Sequence, residues 1–150
     1  MSISNRSATD AHEQQQHGAT LVDVRSTREY NTGHAAGAVN VPLLEPDEDT
    51  GQMTPNPDFV RVMRANFPAE AALLLVCQGG GRSARAARML ETFGYSNLTN
   101  VLGGFLGKRD PVDGRTIDPG WHECGLPTDT TPAPGGSYAE LVANANNDHD

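Results

Sequence analysis

Aromatic residues and cysteine are both scarce in this 150-residue chain. Phe, Trp and Tyr make up 5% of it and there are two cysteines. Few aromatics leave an aliphatic core. Two cysteines are too few for the disulfide framework of a small secreted domain. Long apolar runs are missing as well. The longest strongly apolar stretch, Ala71 to Cys77, falls far short of a membrane span, and the polar segment Met1 to His17 has no signal-peptide core. Basic residues are outnumbered, giving a formal charge of −8. That balance argues against general affinity for nucleic acid or anionic membranes, but not against a small anion bound by local loop charges. A soluble protein of a reducing compartment, the cytoplasm, is expected, with one domain large enough for its own core.

What the chain does have is concentrated in Leu73-Leu74-Leu75-Val76-Cys77-Gln78-Gly79-Gly80-Gly81-Arg82-Ser83-Ala84-Arg85. It reads as a buried strand, a cysteine, a glycine loop and a helix start. A cysteine so placed faces loop N–H groups and the positive end of a helix dipole. Both favour the thiolate, which is the nucleophile. A turn needs only one or two glycines, whereas a ring of inward N–H groups needs several unusual backbone angles. Cys77 is therefore the candidate nucleophile. Gln78, Gly79, Gly80, Gly81, Arg82 and Ser83 are the candidate substrate-binding loop, and Arg82 is also a catalytic candidate as its fixed positive charge.

Strand patterns are expected at 20–24, 38–41, 71–76 and 98–102. Helices are expected from Asp10 to Gln16, from Ser26 to Gly33, over 59–67 with 59, 60, 63 and 67 on one face, and over 83–93 with Ala84, Ala87 and Leu90 inward. Met1 to Ser7 reads as disordered, Glu45 to Pro57 as an acidic loop, and Lys108 to Gly120 as a loop. Thr128 to Gly136 reads as a linker, and the Ser137-Tyr138-Ala139-Glu140 capping box predicts a final helix. Alternating strands and helices imply a parallel sheet covered on both faces. Ligands bind such sheets beyond the strands' carboxyl ends, which is where Cys77 falls.

Asp23 and Arg25 flank a strand end and read as a structural ion pair or a capping arrangement. His34 reads first as a hydrogen-bonded histidine shaping the chain, with a general base for Cys77 as the alternative. His122-Glu123-Cys124 lacks a matched second pair of ligands, so no metal is expected.

These residues resemble the rhodanese (sulfurtransferase) family at four places in order. Leu21-Val22-Asp23-Val24-Arg25, Glu29-Tyr30 and Gly33-His34-Ala35-Ala36-Gly37-Ala38-Val39-Asn40-Val41-Pro42 match its opening pattern. Cys77-Gln78-Gly79-Gly80-Gly81-Arg82-Ser83 matches its active loop. Val101-Leu102-Gly103-Gly104-Phe105 matches the segment after the last strand, and Trp121 with Gly125-Leu126-Pro127 matches the close. The resemblance covers roughly residues 18–128, with an insertion at about 108–120. It leaves 1–17 as an N-terminal arm or short helix and 129–150 as a linker and tail, with a candidate helix at 137–145.

The resemblance implies an α/β fold with a five-stranded parallel sheet flanked by helices on both faces. It implies a sulfurtransferase without cofactor, in which Cys77 carries a sulfane sulfur as a persulfide. The expected partners are a small anionic donor such as thiosulfate and a thiol or cyanide acceptor, with an acceptor protein as a further candidate. The loop has four residues between Cys77 and Arg82. Related phosphatases and arsenate reductases carry one more, because a tetrahedral oxyanion needs a wider ring of amides than a persulfide sulfur. The alternative readings are a rhodanese-like module that binds a partner and a redox sensor using Cys77 and Cys124.

Overall fold

A computed structural model of the chain describes residues 3–147. In chain order the elements are β1 (Ile3–Arg6), α1 (Ala8–Gln16), β2 (Thr20–Asp23), α2 (Thr27–Thr32), β3 (His34–Ala35), β4 (Val39–Asn40), β5 (Leu44–Pro46) and β6 (Met53–Pro55). There follow α3 (Phe59–Asn66), β7 (Leu73–Val76), α4 (Gly81–Thr92), β8 (Leu98–Val101), β9 (Lys108–Arg109), β10 (Thr116–Asp118), β11 (Thr128–Asp129) and α5 (Tyr138–Asn146).

The main sheet has five strands in the order β1-β8-β7-β2-β4, and every neighbouring pair runs parallel. The central strand β7 is buried along its whole length, as continuous apolar sequence in a doubly covered sheet should be. Its side chains alternate between two cores. Leu73 and Leu75 face α3, α4 and α5 with Val62, Met63, Leu90 and Leu141. Leu74 and Val76 face the other side, with Ala8 and Ala11 of α1, Tyr30 of α2 and Trp121. The all-or-none alternation follows from the period of two in a strand.

Several expectations are corrected. Met1 and Ser2 lie outside the described residues, but Ile3–Arg6 is not disordered: it is the fifth strand, paired with β8 from Ile3↔Leu98 to Arg6↔Val101. Its sequence carries almost no apolar signal. The backbone partners offered by β8's edge create the strand, and Ile3 packs partly against the core. Helix α1 starts at Ala8 rather than Asp10, because Ser7 is the cap: its hydroxyl accepts from the Asp10 N–H at 3.2 Å. On α4 the buried positions are Ser83, Ala86, Ala87 and Leu90, so Ala86 takes the inward place expected of Ala84. On α3 they are Phe59, Val62 and Met63, so Val62 joins the expected face, while Val60 and Phe67 pack partly buried against the same core.

The two expected loops and the expected linker each hold short strands. Residues 45–57 contain most of the β5–β6 hairpin, whose turn is closed by Asp47 accepting from the Asp49 and Thr50 N–H groups. Residues 108–120 hold the β9–β10 hairpin. Thr128 and Asp129 pair antiparallel with Ala35 and His34. Ser137 caps α5 with both arms of the capping box. Leu141 and Ala145 of that helix belong to the same core as β7.

Candidate active site

Cys77 is the first residue past β7. It is buried, with 1% of its surface exposed. The chain then turns through Gly80, whose φ of 114° lies where only glycine is comfortable, straight into α4. The helix therefore begins at Gly81, two residues earlier than its sequence pattern suggests, and its first turn is part of the loop itself.

Two groups touch the sulfur. The Gly80 N–H donates to Sγ at 3.1 Å, and Ser83 Oγ lies 3.3 Å away. No side chain caps α4. Among the described residues the N–H groups of Gly81, Arg82 and Ser83 have no acceptor. Three free N–H groups at the positive end of a helix, beside a sulfur, form a ready anion cradle.

The carbonyls on the other side of the loop are tied down. Phe105 N–H donates to Cys77 O at 2.7 Å and Leu106 N–H to Gln78 O at 3.0 Å. This close approach depends on Gly104, at φ 56°, where a Cβ would collide with the Cys77 carbonyl. The turn through Gly103 and Gly104 is thus a clamp on the cysteine loop.

Arg82 does not point freely at the anion cradle. Its guanidinium makes a two-pronged pair with Glu29 of α2, Nη1–Oε1 2.7 Å and Nη2–Oε2 2.9 Å. Glu29 also completes the Ser26 capping box, so one carboxylate joins the start of α2 to the start of α4. The Arg82 hydrogen bonds first, then those from Ser26, hold the Glu29 carboxyl down to about 2 against burial, which pushes it up. Arg82 is raised above its ordinary value, chiefly by Glu29 and in smaller part by attraction to Cys77 and Asp23.

Asp23 and Arg25 form a buried ion pair, Nη2 to Oδ2 2.8 Å, with Nε bonded to both carboxylate oxygens. Arg25 also donates to Gly33 O at 2.6 Å and lies over the Phe105 ring at 4.7 Å. The Asn40 amide donates to the carbonyls of Asp23 and Arg25. The pair therefore braces the β2 end, the α2–β3 turn and the Gly103–Phe105 clamp together. His34 is fully buried and stacks on Tyr30 with ring centroids 3.7 Å apart. Its Nδ1 donates to Tyr30 O at 2.7 Å, while Nε2 has no partner among the described residues. Neither ring nitrogen is hydrogen-bonded to Cys77.

Sequence reading did not single out Asn100 or the Arg82–Glu29 pair. Asn100 sits on β8, opposite Leu75 and Asn5, and its Oδ1 accepts from Ser83 Oγ at 2.5 Å. The available signal was an Asn, beside Thr99, between the apolar ends of a strand that is buried throughout. Among the described residues no group of three or more His, Cys, Asp or Glu side chains could hold a metal ion, and no helix is long and apolar enough to cross a membrane. Both cysteines are free thiols, Cys77 buried and Cys124 exposed.

A lone cysteine at the carboxyl edge of a parallel sheet, beneath an uncapped helix N-terminus, defines a class of α/β protein with a thiol at its centre. Residues 7–108 match the rhodanese-like domain model, and the chain belongs to that family. It is 32% identical over 125 residues to thiosulfate sulfurtransferase 16, chloroplastic, of Arabidopsis thaliana, covering 83% of this chain and 92% of that protein. It is 32% identical over 96 residues to the senescence-associated protein DIN1 of Raphanus sativus, covering 64% of this chain but only 51% of that one. Among solved structures, Rv0390 from M. tuberculosis superposes with a TM-score of 0.69 at 28% identity, over 85% of this chain and 98% of that one.

Proposed function

We propose that this protein is a sulfurtransferase of the thiosulfate type working through a persulfide on Cys77. The Cys77 thiolate attacks the outer sulfur of thiosulfate. The S–S bond of the donor breaks, sulfite leaves with the bonding electron pair, and a cysteine persulfide forms. An acceptor thiolate or cyanide then attacks the outer sulfur, taking it as a persulfide or thiocyanate and returning the Cys77 thiolate. Splitting one difficult transfer into two displacements is covalent catalysis.

The observation that carries the reading is the trio of free N–H groups on Gly81, Arg82 and Ser83 next to a sulfur already held by the Gly80 N–H. Such fixed donors would stabilise the outer persulfide sulfur and the anionic donor as an oxyanion hole stabilises charge. Gln78 and Gly79 would complete the rim. With its charge shared by Glu29, Arg82 would act chiefly by fixing the first turn of α4 and by its field at Cys77. Asp23, Arg25 and His34 would be structural supports. The short loop favours sulfur over a tetrahedral oxyanion. A reducing compartment such as the cytoplasm suits two free thiols. An acceptor protein is a further candidate partner.

The test is mass spectrometry after thiosulfate treatment. One added sulfur is expected on Cys77, removable by cyanide or dithiothreitol. An unmodified Cys77 under these conditions would overturn the proposal.

A further inference from the structure

Behind the sulfur runs a chain of four polar side chains. Cys77 Sγ lies 3.3 Å from Ser83 Oγ. Ser83 Oγ lies 2.5 Å from Asn100 Oδ1. Asn100 Nδ2 lies 3.3 Å from Asn5 Oδ1. Cys77, Ser83 and Asn100 are buried, whereas Asn5 is exposed on the edge strand. The chain thus leads from a buried sulfur to the solvent edge of the sheet. The register makes it possible: Asn5 stands opposite Asn100, which stands opposite Leu75, so all three share the face that carries Cys77 and α4.

The Ser83 hydroxyl has one proton and three neighbours that could accept it: Sγ, Asn100 Oδ1 and Gly80 O, the last at 3.2 Å. The shortest distance is to Asn100, so the proton rests there. Ser83 then has only lone pairs to offer Cys77, and only a thiol can use them, by donating S–H. A thiolate or persulfide anion needs the opposite, a proton from Ser83. A primary amide can turn end for end about its last torsion without changing its volume. If Asn100 and Asn5 both turn, Asn5 Nδ2 donates to Asn100 Oδ1, Asn100 Nδ2 donates to Ser83 Oγ, and Ser83 donates to the sulfur. Every hydrogen bond survives with its direction reversed. The proton lost by the thiol goes to a solvent base.

We propose that Asn100, backed by Asn5, is a positioning residue that sets whether Ser83 presents a lone pair or a proton to Cys77. It acts through Ser83 and touches no substrate. Asparagine suits this place because it can face Ser83 as acceptor or donor. Aspartate can only accept, and leucine does neither.

The inference rests on Cys77 being the reactive sulfur. Its test therefore reads the thiol rather than sulfur transfer. The rate of Cys77 alkylation by iodoacetamide at neutral pH, followed by peptide mass spectrometry, is compared with the thiolate's ultraviolet absorbance. Asn100→Asp should hold the Ser83 proton on the carboxylate and slow alkylation about tenfold or more, the equivalent of one unit of proton affinity, with the absorbance falling in step. Asn100→Leu frees that proton and should alkylate at or above the native rate. In a Ser83→Ala background, Asn100→Leu should change nothing. Equal slowing by Asp and Leu would mark a merely structural residue and overturn the proposal, as would rates within about twofold of native in both. Should neither variant fold, Asn5→Asp at the exposed edge decides. As an acceptor-only end it keeps Asn100 Nδ2 turned away from Ser83, so slower alkylation is expected and an unchanged rate overturns the relay. The persulfide measurement is made on the native chain and stands or falls apart from these outcomes.

Discussion

The guanidinium of Arg82 lies along the carboxylate of Glu29, with paired contacts of 2.7 and 2.9 Å, and the two residues are 53 positions apart in the chain. This pair ties the first turn of α4, which forms half of the cysteine loop, to the first turn of α2. It also gives the Arg82 guanidinium a partner of its own, while the N–H that donates to the sulfur is the backbone one of Gly80.

That pairing gives a pH signature. Glu29 is held down to about 2 from an ordinary 4.5. A carboxyl lowered in the folded state stabilises the fold above the unfolded value and loses that contribution as pH falls through the folded one. Stability should therefore drop between about pH 4.5 and pH 2 in the native protein. Glu29→Gln should remove this component of the drop. Because the pair is partly exposed, its worth is on the order of 1 kcal/mol. Urea titrations of both proteins across that window test the point. Identical acid profiles would deny the pair any energetic role.

Gly104 should be intolerant for two separable reasons. Its φ of 56° costs an alanine roughly 1–2 kcal/mol, and its Cβ would collide with the Cys77 carbonyl. Gly94, at φ 96° with open space around it, is the control. Gly104→Ala and Gly94→Ala should both melt earlier. Only Gly104→Ala should also lose sulfur transfer by more than its lost stability explains. Equal activity in the two would show that the clamp does not shape the loop.

The two cysteines should behave oppositely. Cys77→Ser is expected to abolish transfer with circular dichroism unchanged, since serine is a far weaker nucleophile in the same space. Cys124→Ser, on the exposed turn after Trp121, should keep most activity. Comparable losses in both variants would point to a paired-cysteine redox cycle instead.

Loop length should fix the substrate. The native protein is expected to show ping-pong kinetics with thiosulfate and cyanide and negligible hydrolysis of aryl phosphates. Inserting one glycine between Gly79 and Gly80 should weaken sulfur transfer and widen the amide ring towards oxyanions. Strong phosphatase activity in the native chain would refute the size argument.

Much of this was legible in the residues. The Leu73–Val76 run, the cysteine and the glycines fixed the strand, the loop and the candidate nucleophile, because burial pattern and backbone permissiveness are local properties. Capping boxes at Ser26 and Ser137 predicted α2 and α5, because both partners lie within one turn of each other. The start of α4 was misjudged: Gly81 and Arg82 look like loop residues, and only the left-handed turn at Gly80 commits them to the helix.

What the sequence by itself determined is therefore the chemistry: a thiol, a glycine loop of set length, and a sheet of parallel strands to carry them. Tertiary structure alone decided the company that chemistry keeps. Strand β1 has no apolar pattern of its own and exists because β8 offers it an edge, and that pairing brings Asn5 to Asn100. Arg82 meets Glu29 only because α2 and α4 come together at the carboxyl end of the sheet. Gly104 reaches Cys77 only because the chain doubles back after β8. Side-chain type is written residue by residue, but the partner of a hydrogen bond or charge is a matter of distance, and distance between remote residues is set by the packing of the whole chain.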